Sequence, residues 1–211
     1  MNENEPTAEH IRWGLPLDEI KHLGQRLAQF FERCDPFLRN KTHDVSKHAF
    51  HYLSGLLRMN SKRNMTEIGR KTGVSPQNIQ HFMSNSPWSG LALIDGIQDE
   101  IKQHPEFRSG AMLALDESAD EKAGEYSAGA SRQHNGRLGK VEMSQVGVFL
   151  SSVTPRVNTW IDGELYLAKC WFTKAYAKRR AKVGIPEDRT FLTKPELGWR
   201  MIQHAQANGV P

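Results

Sequence analysis

Asp116 closes the short apolar run Ala111-Met112-Leu113-Ala114-Leu115 and opens the charged stretch Glu117-Ser118-Ala119-Asp120-Glu121-Lys122. Apolar residues bounded in this way predict a strand over 111–115 with the carboxylate of Asp116 at its C-terminal tip. Carboxylate oxygens suit hard cations such as Mg²⁺ or Mn²⁺, and Asp116 is the candidate metal ligand and catalytic acid. The chemistry within reach is metal-assisted phosphoryl transfer, which uses two ions held about 4 Å apart. One acid cannot hold both.

A second kind of chemistry is suggested by residues 65–84, MTEIGRKTGVSPQNIQHFMS. A helix-turn-helix needs an apolar and then a small residue in its first helix, a glycine in the turn and two apolar anchors in its second. Ile68, Gly69, Gly73, Val74, Ile79 and Phe82 supply these in order. Ser75 is a natural N-cap and Pro76 suits the first helical position. The outward side of the second helix then offers Gln77, Asn78 and His81, with Gln80 close by. Gln and Asn pair bidentately with adenine in the major groove, so these positions are candidate base readers. The bland alternative is a helical hairpin used only for packing.

The elements that must position these groups follow from periodicity. Leu17, Ile20, Leu23, Leu27, Phe30 and Phe31 predict an amphipathic helix over 18–32, stopped by Asp35-Pro36, and a second runs from about Asp44 to Met59. His48 and His51 lie three apart on that second helix, a spacing that could clamp a metal, but with no third ligand in view they read as a polar or nucleic-acid-facing edge. Another helix carries Leu91, Leu93, Ile94, Ile97 and Ile101 and ends at His104-Pro105. Beyond Asp116, the glycine-rich stretch 124–140 reads as a long exposed loop. Val146–Val153 reads as a second strand, and Asn158–Ile161 with Leu165–Leu167 beyond as a third, with Thr154-Pro155-Arg156 as the turn between them. Helices over about 173–183 and 194–207 complete the chain.

Composition narrows the class. Apolar residues make up 38% of the 211, enough for a packed core, and no apolar run approaches the roughly 18 residues that span a bilayer. The acidic, polar N-terminus resembles no secretory or transit peptide, which predicts a cytoplasmic protein without a membrane partner. Cys34 and Cys170 are far apart and outside any CxxC pair, so neither a zinc site nor a disulfide framework is expected. Net charge is +4 with a pI near 9.1, a modest basic excess that favours polyanions. The basic residues recur along the chain, at Lys62-Arg63, Arg70-Lys71, Arg132, Arg137, Lys140, Lys174, Lys178, Arg179, Arg180 and Lys182. Of these, Arg132, Lys140, Lys178, Arg179 and Arg180 are candidate DNA contacts.

Five ordered blocks carry a resemblance: HFMSNSPW (81–88), LALDESADEKAG (113–124), RQHNGRLGK with QVGVFLS (132–151), DGELYLAKCW (162–171) and GIPEDRTFLTKPEL (184–197). Together they resemble the insertion-sequence transposases of the DDE superfamily, whose endonuclease core is ribonuclease-H-like. The resemblance implies an α+β chain with a helical DNA-binding region over 1–106 and the N-terminal part of a ribonuclease-H-like catalytic domain over 107–211. It gives Asp116 the role of first catalytic acid and Mg²⁺ or Mn²⁺ ligand. Family members continue into a strand and a helix that bear the second and third acids, so the resemblance implies a truncated copy or an N-terminal part, inactive alone. Asp120 and Glu121 follow the first strand in one loop, and Asp162 and Glu164 lie around the third, away from the second acid's expected place.

The function implied is that of a DNA transposase binding double-stranded transposon ends, the intact enzyme cutting and joining DNA by metal-dependent phosphoryl transfer. The alternative is a non-catalytic DNA-binding regulator or inhibitor of the full-length transposase. An open sheet edge would also favour a homodimer or association with the full-length protein. A metal-dependent hydrolase of small phosphoesters is a third reading, but it has no use for the 65–84 block or the distributed basic residues.

Overall fold

The computed structural model describes residues 16–39, 42–59, 64–108, 110–124 and 126–211; the acidic N-terminal segment and the Lys62-Arg63 pair lie outside them. The chain forms two compact units, 1–93 and 94–211. The division therefore precedes the boundary expected after Glu106. The reason is packing: Ile97, Ile101 and Phe107 join the core beneath the sheet of the second unit.

The first unit is helical. Helix α1 (Leu17–Cys34) is followed by a 3₁₀ turn, Asp35–Leu38, with Pro36 inside it. Helix α2 (Ser46–Leu57) starts where Asp44 Oδ1 accepts hydrogen bonds from the backbone N–H and hydroxyl of Ser46. Helix α3 (Met65–Thr72) is capped by the Asn64 side chain, which accepts from Glu67 N–H, and it ends on Gly73 in the left-handed conformation. Helix α4 (Pro76–Asn85) begins two residues after Val74. Two small cores hold these helices: Met59, Ile68 and Ile79 in one, Leu38, Val45, Ala49 and Phe82 in the other. Gly55 lets α2 and α3 approach, since a Cβ there would stand 2.7 Å from Ile68 Cγ2.

The second unit is built on a four-stranded antiparallel sheet. After helix α5 (Gly90–Gln103) come β1 (Met112–Glu121), β2 (Ser131–Asn135), β3 (Lys140–Val153) and β4 (Asn158–Tyr166). The long β3 is the hub: β1 pairs along one edge, while β2 and β4 share the other. A short helix α6 (Ala177–Lys182) and helix α7 (Lys194–Ala207) follow. Val148 and Leu150 of β3 and Ile161 of β4 pack beneath Leu197, Met201 and Ala205 of α7 and Ile101 of α5. Helix α7 has a reciprocal capping box between Thr193 and Glu196, as the Thr-Lys-Pro-Glu spacing allows. Mixed helices and antiparallel sheet make the chain α+β.

Three expectations are corrected. β1 does not stop at Leu115: its polar half stays paired with β3 as far as Glu121, so Asp116 sits within the strand and not at its tip. Ladder bonds are made by the backbone, and the fourteen residues of β3 offer partners that outweigh the weak strand preference of Asp and Glu. The expected loop 124–140 contains β2, which turns back through Gly136–Gly139 onto the start of β3, with Asn135 Nδ2 donating to the buried Ser144 hydroxyl. The helix expected over 173–183 is shortened: a 3₁₀ turn, Lys174–Tyr176, precedes α6.

Candidate functional site

The outward face of α4 follows from what its inward face buries. Ile79 and Phe82 are buried at 0% and 4% exposure. Phe82 stacks on Trp88 with centroids 5.6 Å apart, and Trp88 Nε1 donates to Phe82 O. Gln77, Asn78, Gln80 and His81 are left exposed. The turn that aims α4 depends on Gly69: a Cβ there would lie 2.5 Å from Val74 O and 3.1 Å from the Pro76 ring. Ser75 holds the N-cap position, yet its side chain caps no backbone N–H. Its hydroxyl instead donates to Gln77 Oε1 at 2.6 Å, so Gln77 shares its amide oxygen with the turn while Asn78 and His81 project outward.

On α2, burial, followed by Lys47 and His48, holds the His51 imidazole below its usual pKa. His48 Nδ1 is buried without a hydrogen-bond partner. No group of three or more His, Cys, Asp or Glu side chains among the described residues is placed to hold a metal, the His48–His51 pair included.

In the sheet, register assigns each acid to a face. Asp116 is paired with Phe149, whose side chain lies on the face away from α7 and stacks on Trp160 with centroids 4.8 Å apart. Gly147 and Gly163 make room for that ring, since a Cβ at either would come within 3 Å of it. Asp120 shares the face, and its carboxyl is held below the usual range by the hydrogen bond from Lys122, at 2.6 Å, and more weakly by Arg137. Asp116 Oδ1 accepts from the N–H of Glu117 at 2.8 Å.

Asp162 and Glu164 point the other way. A bulge between Leu150 and Ser151 leaves Ile161 as an extra residue in β4, and two successive side chains, Ile161 and Asp162, both engage the α7 layer. Asp162 Oδ2 is 3.0 Å from His204 Nδ1, and His204 Nε2 is 2.8 Å from Asp95 Oδ1. Asp162 first, and Asp95 with it, hold the His204 pKa above its usual value against the opposing effect of burial. Glu164 pairs with Arg200 and Arg189. These acids are committed to fixing α7 on the sheet. The donors on the Asp116 face do not make a two-ion centre, since Asp120, the acid that shares it, is bonded to Lys122.

The candidate basic residues divide. Lys140 is paired with Glu142 at 3.2 Å, and Arg132 is exposed on β2. Arg180 donates to Pro186 O and Arg189 O and lies 4.9 Å from the Phe172 centroid, so it fastens the segment after α6. Lys178 is exposed, while Arg179 sits between two tyrosine rings. Sequence reasoning missed the Asp95–His204–Asp162 bridge and the place of Tyr126 beside α6, because their partners are distant along the chain.

The four-stranded antiparallel sheet backed by α5 and α7, preceded by the helical first unit, makes the chain α+β. The pattern of the DDE superfamily endonucleases matches residues 35–211, and the chain belongs to that family. Over 167 residues it is 27% identical to the probable transposase for insertion sequence element IS701 of Microchaete diplosiphon, a stretch covering 76% of this chain and 39% of that relative. The chain thus spans about two fifths of the length of the curated relative it matches. No solved structure matches the chain. The resemblance read from the sequence blocks is thereby supported at the level of the family. No helix among the described residues is long and apolar enough to cross a membrane.

Proposed function

We propose that the chain binds double-stranded DNA at the ends of a mobile element through the outward face of α4, and that β1 supplies Asp116 as a metal-ligating acid of a ribonuclease-H-like DDE centre. One observation carries the first part: Asn78, His81 and Gln77 are exposed on a ten-residue helix whose anchors, Ile79 and Phe82, are buried. Such a helix presents amide side chains to a groove without disturbing its own packing. Similarity to a probable transposase for an insertion sequence element supports the substrate class. In the whole enzyme, Mg²⁺ or Mn²⁺ would be the cofactor and the reaction would be phosphodiester cleavage and strand joining.

The alternative, a DNA-binding regulator that occupies ends and associates with itself or with the full-length transposase, is favoured by a specific observation. Asp162 and Glu164 lie on the opposite face of the sheet from Asp116, and among the described residues no group of three or more His, Cys, Asp or Glu is placed to hold a metal. Both readings need α4. Asn78→Ala should cost roughly 1 to 3 kcal/mol of affinity for element-end duplex and much less for random duplex, read by fluorescence anisotropy. Equal losses on both duplexes would remove base readout at Asn78.

A further inference from the structure

The segment after β1 brings Tyr126 against α6, in an alternating ladder of rings and cations. Lys182 Nζ lies 4.1 Å and the Arg179 guanidinium 5.7 Å from the Tyr126 centroid. The same guanidinium lies 4.6 Å from the centroid of Tyr176, which meets the buried Trp171 edge-on at 5.4 Å. Lys174 and Lys178 are exposed alongside.

Tyr126 is not needed to pin its loop. Gln145 Nε2 donates to Ala128 O at 2.7 Å and Trp171 Nε1 to Ala130 O at 3.0 Å, so the loop is fastened beyond the tyrosine. A pinning ring would be buried, yet Tyr126 is 60% exposed. An exposed aromatic surface flanked by cations suits a ligand that carries both a π-face and a negative charge. An unpaired nucleotide has both. A duplex hides its base faces by stacking and offers only phosphates to such a site.

We propose that Tyr126, flanked by Arg179 and Lys182, is a stacking platform for an unpaired base of single-stranded DNA, whose phosphates run along Lys174, Lys178 and Lys182. This rests on the reading of the chain as a DNA-binding protein, and it assigns the platform a strand form that α4 does not read. Sequence-independent single-strand binding combines aromatic stacking with a cationic track in this way.

The test is anisotropy of labelled oligodeoxythymidylate and of an element-end duplex with the full chain. Tyr126→Ala should weaken single-strand binding about 5- to 100-fold and leave duplex binding unchanged. Tyr126→Phe should retain single-strand binding, since the ring does the stacking, and Lys182→Gln should weaken it with a shallower salt dependence. The platform is overturned if Tyr126→Ala leaves single-strand affinity intact, if it weakens single strand and duplex equally, or if Tyr126→Phe fails as badly as Tyr126→Ala. An acidic peptide would need the cations but not the ring, so a loss with Lys182→Gln alone also overturns it. Duplex binding that depends on Asn78 without any single-strand binding defeats the platform alone; a chain that binds neither form defeats the DNA-binding reading as well.

Discussion

A carboxylate in the middle of a paired strand is held more firmly than one at a loose strand end. Asp116 is fixed by the β1–β3 ladder on both sides, opposite Phe149, and its oxygen is oriented by the N–H of Glu117. Rigid placement favours metal ligation, but the neighbouring acid on that face, Asp120, is committed to Lys122. The chain by itself is therefore expected to show no Mg²⁺- or Mn²⁺-dependent nicking of element-end DNA, because two ions need more carboxylates than this face supplies. A plasmid-nicking assay checks this; metal-dependent cleavage abolished by Asp116→Asn would show that the chain builds a complete centre. The residue type was legible from the apolar-to-charged break at Leu115–Asp116. Its neighbours were not, because alternation along β1 and the β4 bulge decide which acids share a face.

The elements owe their placement to a few close contacts. Gly69 sits where the α3–α4 turn folds against it, and a methyl group there would meet a backbone oxygen that cannot swing away. Gly69→Ala should lower stability by roughly 1 to 3 kcal/mol in a urea titration. It should also weaken duplex binding by misplacing α4; an unchanged midpoint would mean the turn has slack. Helix α7 is fastened differently, through His204 between Asp162 of β4 and Asp95 of α5, with Asn208 Nδ2 donating to Asp95 and to Gln98. Because the folded pKa of His204 is raised, the stabilisation is fully present below the unfolded value of about 6.5 and is lost as pH rises through the folded value. The thermal midpoint of the wild-type chain should therefore fall, relative to His204→Gln, as pH rises above about 6.5. Parallel pH profiles for the two would show that the bridge contributes no pH dependence.

At the scale of the whole molecule, a net charge of +4 is a small excess, so what matters is which cations are available. Each phosphate neutralised contributes about −0.9 to the slope of log K against log salt. Lys178→Ala should make that slope shallower by about one phosphate's worth. Arg180→Ala should leave the slope unchanged and lower the thermal midpoint, since its guanidinium already bonds Pro186 O and Arg189 O and lies over Phe172. A shallower slope from Arg180→Ala, or none from Lys178→Ala, would reverse these roles.

Local chemistry was enough to specify α1, α2, the α3–turn–α4 unit and α7, and to single out Asp116 as a candidate acid, because each is encoded within one or two turns of chain. The same locality exposed the family resemblance in ordered blocks. Tertiary structure alone decided the rest. β1 extends through its charged half because β3 is long enough to pair with it, and β2 forms in a glycine-rich stretch because the start of β3 is there to receive it. Ile94–Phe107 joins the sheet unit because Ile97, Ile101 and Phe107 find their burial there. The bridge at His204 and the ladder at Tyr126 join residues far apart in sequence, and only the packing of sheet and helices brings such partners within hydrogen-bond or ring contact.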